Sequence, residues 1–147
     1  MHIVFICYGN ICRSPMAEAV FSHMVSDAEP SNVSIDSCGT HASTGSRAHR
    51  GTLRVLEDRG ITYTGVSRPV EEHDMDADLI VCMDAHNKRD LEERFGANER
   101  IHLLLEYADT DETDVPDPYY SGGFEHVYEL IEAGCRGLLM TLQESER

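Results

Sequence analysis

The sequence predicts an α/β fold in one domain: a four-stranded parallel sheet with helices on both faces. Three observations carry that prediction. Short apolar runs rich in β-favouring residues alternate with longer stretches of helical spacing, as parallel strands joined by crossover helices require. A length of 147 residues suits one domain spanning 1–147, large enough to bury a core without disulfides or a structural metal. Hydrophobic and charged shares of 41% and 27% are those of a globular chain, which excludes pervasive disorder.

Ile3 to Cys7 is a continuous apolar run of strand length. After it, Ala17, Val20, Phe21, Met24 and Val25 recur at helical spacing and predict a helix over about 16–25, with Ser14 and Pro15 as N-cap and first helical residue. A second strand is expected at Val33 to Ser37 and a second helix at Thr52 to Arg59, stopped by Gly60. Leu79 to Met83 reads as the third strand and Lys88 to Phe95 as the third helix, stopped by Gly96. A short strand near Ile101 to Leu104 and a last helix from about Gly123 to Leu142 complete the alternation. Irregular stretches remain at about 38–51, 64–77 and 105–122, and segments of that length in a compact domain tend to carry function.

Twelve basic against twenty-seven acidic residues give a net charge of −15, which repels nucleic acid and anionic membranes, so neither is expected as a partner. The first residues lack the basic stretch and long apolar run of a signal peptide, and no later run approaches membrane-spanning length. A cytoplasmic protein is expected, with export by another route left open. Cys7, Cys12, Cys38, Cys82 and Cys135 form no regular framework and are expected as free thiols. The eight histidines fall in no metal-binding spacing, so no metal or other cofactor is expected.

The segment Cys7-Tyr8-Gly9-Asn10-Ile11-Cys12-Arg13-Ser14 lies between the first strand and the first helix, where open α/β sheets collect ligands. Six residues spanning two fixed ends can curl so that successive backbone N–H groups converge on an anion. Gly9 and Asn10 both tolerate the positive φ that such a curl needs. Arg13 supplies a planar fork of donors matching two phosphate oxygens. The helix N-terminus and that guanidinium favour the reactive thiolate of Cys7, and the Ser14 hydroxyl can donate to it. A nucleophilic cysteine so placed can accept a phosphoryl group and release it to water.

Such a transfer needs a proton donor on a second element, facing the leaving oxygen. Asp117 is the candidate, because Pro116 and Pro118 stiffen its backbone, whereas the neighbouring Asp109, Asp111, Glu112 and Asp114 lack that frame. Tyr119 and Tyr120 follow it and can wall a cleft for an aromatic group.

Extended through Pro15-Met16-Ala17-Glu18, the cysteine loop resembles the signature of the low-molecular-weight protein tyrosine phosphatases, bacterial type. Ser37-Cys38-Gly39-Thr40, Met83-Asp84-Ala85-His86-Asn87 and Asp114 to Tyr120 resemble three further segments of that family in the same order, so the likeness spans essentially the whole chain. The resemblance implies a phosphate-binding loop of Tyr8, Gly9, Asn10, Ile11 and Cys12, catalysis by Cys7, Arg13, Ser14 and Asp117, and a polar scaffold of Ser37, Asp84 and Asn87. It also implies a phosphocysteine intermediate, a phosphotyrosine-bearing protein as substrate and no metal; a monomer is expected. Cys12, five positions from Cys7, is a candidate partner for a reversible disulfide.

Three features depart from the family pattern. His41 to Gly45 lacks the aromatic residue that members often set against the substrate ring, His49-Arg50-Gly51-Thr52 replaces a frequent Asp-x-Arg, and Gly65 stands where some members have a scaffold histidine. Arsenate reductases on this architecture need a further cysteine pair on a mobile segment, which this chain lacks. Protein arginine phosphatases carry a threonine hydroxyl at the position of Ile11, whose apolar side chain cannot bind a guanidinium. A phosphotyrosine reader without activity is disfavoured because every catalytic role has a residue.

Overall fold

A computed structural model describes residues 1–26 and 32–145. The element β1 (His2–Cys7) is followed by α1 (Arg13–Ser26), β2 (Ser34–Gly39), α2 (Arg50–Glu57), β3 (Leu79–Cys82), α3 (Ala85–Phe95), β4 (Ile101–Leu103), the short α4 (Pro118–Ser121) and α5 (Phe124–Ser145). The strands are all parallel in the order β2-β1-β3-β4. The chain therefore winds outward from β1 to β2 and then returns past β1 to β3. That reversal opens a crevice at the carboxyl ends of the two central strands.

β1 is covered on both sides, which explains why it reads as an uninterrupted apolar run. Ile3, Phe5 and Cys7 face a core shared with α1, α2 and α5, while Val4 and Ile6 face a second core shared with α3. Phe5 meets Phe21 of α1 edge-on at 5.8 Å. The expected sheet and two-sided helical covering are thus present. Gly96 caps α3 at positive φ, as expected, whereas α2 ends two residues before the expected Arg59, at Glu57 with Asp58 as its C-cap, and Gly60 takes positive φ in the turn that follows.

The helix starts differ from expectation, and in each case a side chain or carbonyl from a loop decides the start. The first helix begins at Arg13, because the Cys12 carbonyl accepts from Met16 N–H at 3.3 Å. Ser14 is thus inside the first turn rather than the N-cap, and its hydroxyl is turned toward Cys7. Pro15 follows within the same turn, where a missing N–H costs no intrahelical bond. α2 starts two residues earlier than predicted because His49 Nδ1 accepts from Gly51 N–H. α3 starts three residues earlier, at a capping box in which Asp84 and Asn87 exchange backbone N–H bonds. Among the irregular stretches, 64–77 holds a 3-10 turn at Glu72–Asp76, and 105–122 holds α4.

Candidate active site

The loop after β1 closes over its own sulfur. Asn10 takes φ 55° and its N–H donates to Cys7 Sγ at 3.2 Å. Gly9 does not share that conformation, so only one of the two expected residues makes the left-handed turn. The loop is fixed from outside by its neighbours: the carbonyls of Cys7, Tyr8 and Ile11 accept from the N–H groups of Thr40, His41 and His49. The Thr52 hydroxyl donates to the Cys12 carbonyl at 3.0 Å.

Beneath the loop runs a chain of hydrogen bonds whose direction can be worked out. Glu18 Oε1 accepts from the hydroxyls of Ser37 at 2.5 Å and Tyr63 at 3.0 Å. The Ser37 oxygen therefore accepts from Asn10 Nδ2 at 3.0 Å, and the other Nδ2 proton goes to the Ser14 oxygen at 2.8 Å. Arg68 N–H donating to Asn10 Oδ1 fixes which way the amide faces. The single Ser14 proton is then left for Cys7 Sγ at 2.9 Å, closer than the Cys38 carbonyl at 3.4 Å. Every step polarises the sulfur as an acceptor, the arrangement a thiolate requires. Burial pushes the Glu18 pKa up, against the bonds from Ser37 and Tyr63.

Arg13 is 3% exposed, yet its charge is well supplied. Its NH1 donates to Asp84 Oδ2 at 2.6 Å and to the Val115 carbonyl at 2.9 Å. Burial works against the guanidinium charge, but the facing Cys7 and the Asp84 bond outweigh it and raise the Arg13 pKa. Asp84 thus serves both α3 and Arg13, while Asn87, buried beside it, exchanges bonds with Asp84. Across the cleft, Asp117 Oδ2 lies 3.6 Å from Arg13 NH2. Val115 anchors that segment, its N–H donating to the Met83 carbonyl at the end of β3.

The resulting cleft has a volume of about 550 Å³ and gathers Cys7, Tyr8, Gly9, Ile11, Cys12, Arg13, Asp117, Tyr119 and Tyr120 on its walls. Asn10, Ser14 and Ser37 lie below the loop, on its supporting side. Tyr120, 92% exposed, lines the outer edge of the cleft and meets Tyr119 edge-on. Where the 41–45 loop lacks an aromatic residue, His41 instead stacks on Tyr8 with centroids 4.6 Å apart and gives that wall a backing. Sequence reading missed His41 and Arg47 on the rim, and Glu18, Tyr63, Thr52 and Arg68 behind the loop. Glu18 adjoins the loop signature, and His41 and Thr52 lie on segments already marked as departures from the family pattern; Arg47, Tyr63 and Arg68 sit where no motif marks them. Among the described residues, no group of three or more His, Cys, Asp or Glu is placed to hold a metal ion, and no helix is long and apolar enough to cross a membrane.

Comparison with known proteins agrees with this geometry. Residues 2–147 match the family model for low molecular weight phosphotyrosine protein phosphatase. The low molecular weight protein-tyrosine-phosphatase YfkJ of Bacillus subtilis is 41% identical over 99% of this chain and 97% of its own length. PtpA of Staphylococcus epidermidis is 36% identical, covering 95% of this chain and 92% of its own. The crystal structure of YfkJ superposes with a TM-score of 0.94 over 100% of this chain and 97% of that one, at 40% identity. A YwlE arginine phosphatase structure with a phosphorylated active-site serine gives a TM-score of 0.89 at 32% identity, over 97% of this chain and 96% of that one. The chain belongs to the low molecular weight phosphotyrosine protein phosphatase family, a family of phosphoric monoester hydrolases.

Proposed function

We propose that this enzyme hydrolyses phosphotyrosine in proteins through a phosphocysteine on Cys7, as a cytoplasmic monomer and without a metal. One observation carries the mechanism: Cys7 Sγ lies at the cleft floor, held by donors from Asn10 and Ser14, while Arg13 and Asp117 face each other across the same cleft. The thiolate attacks phosphorus, the aryl oxygen–phosphorus bond breaks, and Asp117 gives its proton to the departing phenolate. The Asp117 carboxylate then takes a proton from water as that oxygen attacks phosphorus. The sulfur–phosphorus bond breaks, and Cys7 leaves as a thiolate beside the Ser14 hydroxyl. Arg13 and the loop amides bind the phosphoryl oxygens throughout.

Tyr8 and Tyr119 wall the route to the sulfur, which suits an aryl ester long enough to reach the floor. The likeness to an arginine phosphatase supplies a second reading, but Ile11 presents a hydrocarbon surface where a guanidinium would need an acceptor. Turnover of phosphotyrosine, phosphoserine and phosphoarginine peptides in EDTA distinguishes them, and phosphotyrosine is expected to be the preferred substrate. Cys7→Ser should abolish turnover, and Asp117→Asn should slow phosphotyrosine cleavage at least ~100-fold. Full activity in Cys7→Ser would refute the assignment.

The same reading includes redox protection. Burial, with the nearby Cys7 charge, pushes the Cys12 pKa up to about 12, so Cys12 waits as a thiol while Cys7 reacts first. Peroxide would oxidise Cys7 to a sulfenic acid. Attack by Cys12 sulfur would then form the disulfide and release water, to be reversed by a reducing thiol. A Cys12→Ser variant should recover less activity than the parent after peroxide and dithiothreitol; equal recovery would remove this role.

A further inference from the structure

The short helix α4 carries Asp117 at its N-cap, and its two sides are secured very differently. On the N-terminal side, Val115 is tied to Met83 and Arg13, and Asp114 Oδ1 accepts from Ala85 N–H. On the C-terminal side the chain leaves through Gly122 and Gly123, both at positive φ, a pair with little backbone stiffness of its own. Here a ring contact takes over. Tyr119, whose N–H donates to Asp117 Oδ1 at 3.1 Å, meets the ring of His49 edge-on at 5.8 Å.

His49 is itself clamped. Its N–H donates to the Ile11 carbonyl at 2.7 Å, its Nδ1 accepts from Gly51 N–H at 2.9 Å, and its ring stacks on Phe124 with centroids 4.9 Å apart and planes 23° from parallel. Gly51 makes room for that stack, since a Cβ there would lie 2.5 Å from the Phe124 ring. One residue thus touches the phosphate loop through Ile11, the acid segment through Tyr119 and the start of α5 through Phe124.

We propose that His49 is a positioning residue for the general acid: its ring, backed by Phe124, holds Tyr119 and so sets where the Asp117 carboxyl meets the leaving oxygen. This rests on Asp117 acting as the acid. The role differs from packing in one measurable respect. A misplaced acid slows only the departure of oxygens that need a proton, whereas a damaged phosphate loop slows every substrate. Phosphoryl transfer to Cys7 falls within kcat/KM, so the difference is read there.

The test measures kcat/KM on phenyl phosphate, whose leaving group is as basic as tyrosine, and on 2,4-dinitrophenyl phosphate, whose phenolate leaves unprotonated. His49→Asn keeps a cap acceptor for α2 and removes the ring. It is expected to lose about 10-fold on phenyl phosphate and less than about 2-fold on the dinitrophenyl ester. Gly51→Ala, outside the cleft walls, should displace Phe124 and reproduce that selectivity, while His49→Phe should retain the parent's ratio and lower the thermal midpoint. Equal losses on both esters in His49→Asn and Gly51→Ala, or no loss in either, would overturn the proposal. Asp117→Asn runs alongside: selective loss there without any in the His49 and Gly51 variants defeats the positioning role alone, whereas no selectivity in Asp117→Asn defeats the reading of Asp117 itself.

Discussion

Asn10 shows how much a single side chain can hold in place. It takes the left-handed conformation, sends its N–H to Cys7, and spends its amide on Ser14, Ser37 and the Arg68 N–H. Asn10→Ala would force a Cβ residue into αL without local compensation and strand buried partners on three sides. The expected result is a loss of about 2–3 kcal/mol in chemical denaturation and roughly 100-fold in kcat/KM on p-nitrophenyl phosphate. At this scale the sequence was readable wherever chemistry repeats along the chain. Cys7, Arg13 and Ser14 lie within one eight-residue segment, and Asp117 is framed by prolines. It was unreadable where a partner arrives from far away: Tyr63 reaches Glu18, and Arg68 reaches Asn10, from a segment with no motif. Gly9 and Asn10 could not be ranked as the site of the turn, since both residue types tolerate positive φ.

Among the elements, the strands and helices were legible as hydrophobic periods, but their first residues were not. Periodicity marks where a helix becomes buried, whereas the start depends on what accepts or donates at the cap. His49 as the cap of α2 illustrates this, because an imidazole is not among the residue types from which a cap is ordinarily inferred. The short α4 was hidden for a related reason: four residues make no period. Among the glycines, the closest approach is at Gly137 of α5, where a Cβ would collide with the Tyr107 carbonyl at the end of the 3-10 turn Leu104–Tyr107 after β4. Gly137→Ala should therefore cost about 2–3 kcal/mol despite its better helix propensity, measured by urea denaturation. A stabilised variant would mean that α5 can slide along that turn.

At the scale of the molecule, a four-stranded parallel sheet followed from the alternation of elements, while its strand order β2-β1-β3-β4 and the way distant charges close it did not. Arg68 bridges Asp36 at 2.7 Å and Asp74 at 2.8 Å, joining β2 to the 3-10 turn at 72–76. Asp74 is 2% exposed; burial would raise its pKa, but the Arg68 bonds and the Glu71 N–H outweigh this and lower it. A carboxyl depressed in the folded state contributes stability above its unfolded pKa of about 3.9, and that contribution fades as pH falls through the folded value. Arg68→Ala should thus cost roughly 3 kcal/mol near neutrality, with the gap to the parent narrowing below about pH 4 in denaturation curves. A gap independent of pH would assign the loss to packing alone.

β1 pairs with β2 on one side and β3 on the other, and its terminal Cys7 depends on donors and anchors spread from Asn10 to Val115. During synthesis β1 is the earliest of the four strands to be made, yet its second neighbour begins only at Leu79. Cys7 therefore waits, without its donors and anchors, until most of the chain has left the ribosome. Such long-range closure slows folding relative to local structure. Recovery of turnover after dilution from denaturant consequently times the final docking of the distant segments, and a nascent chain lacking them carries a cysteine without a catalyst around it.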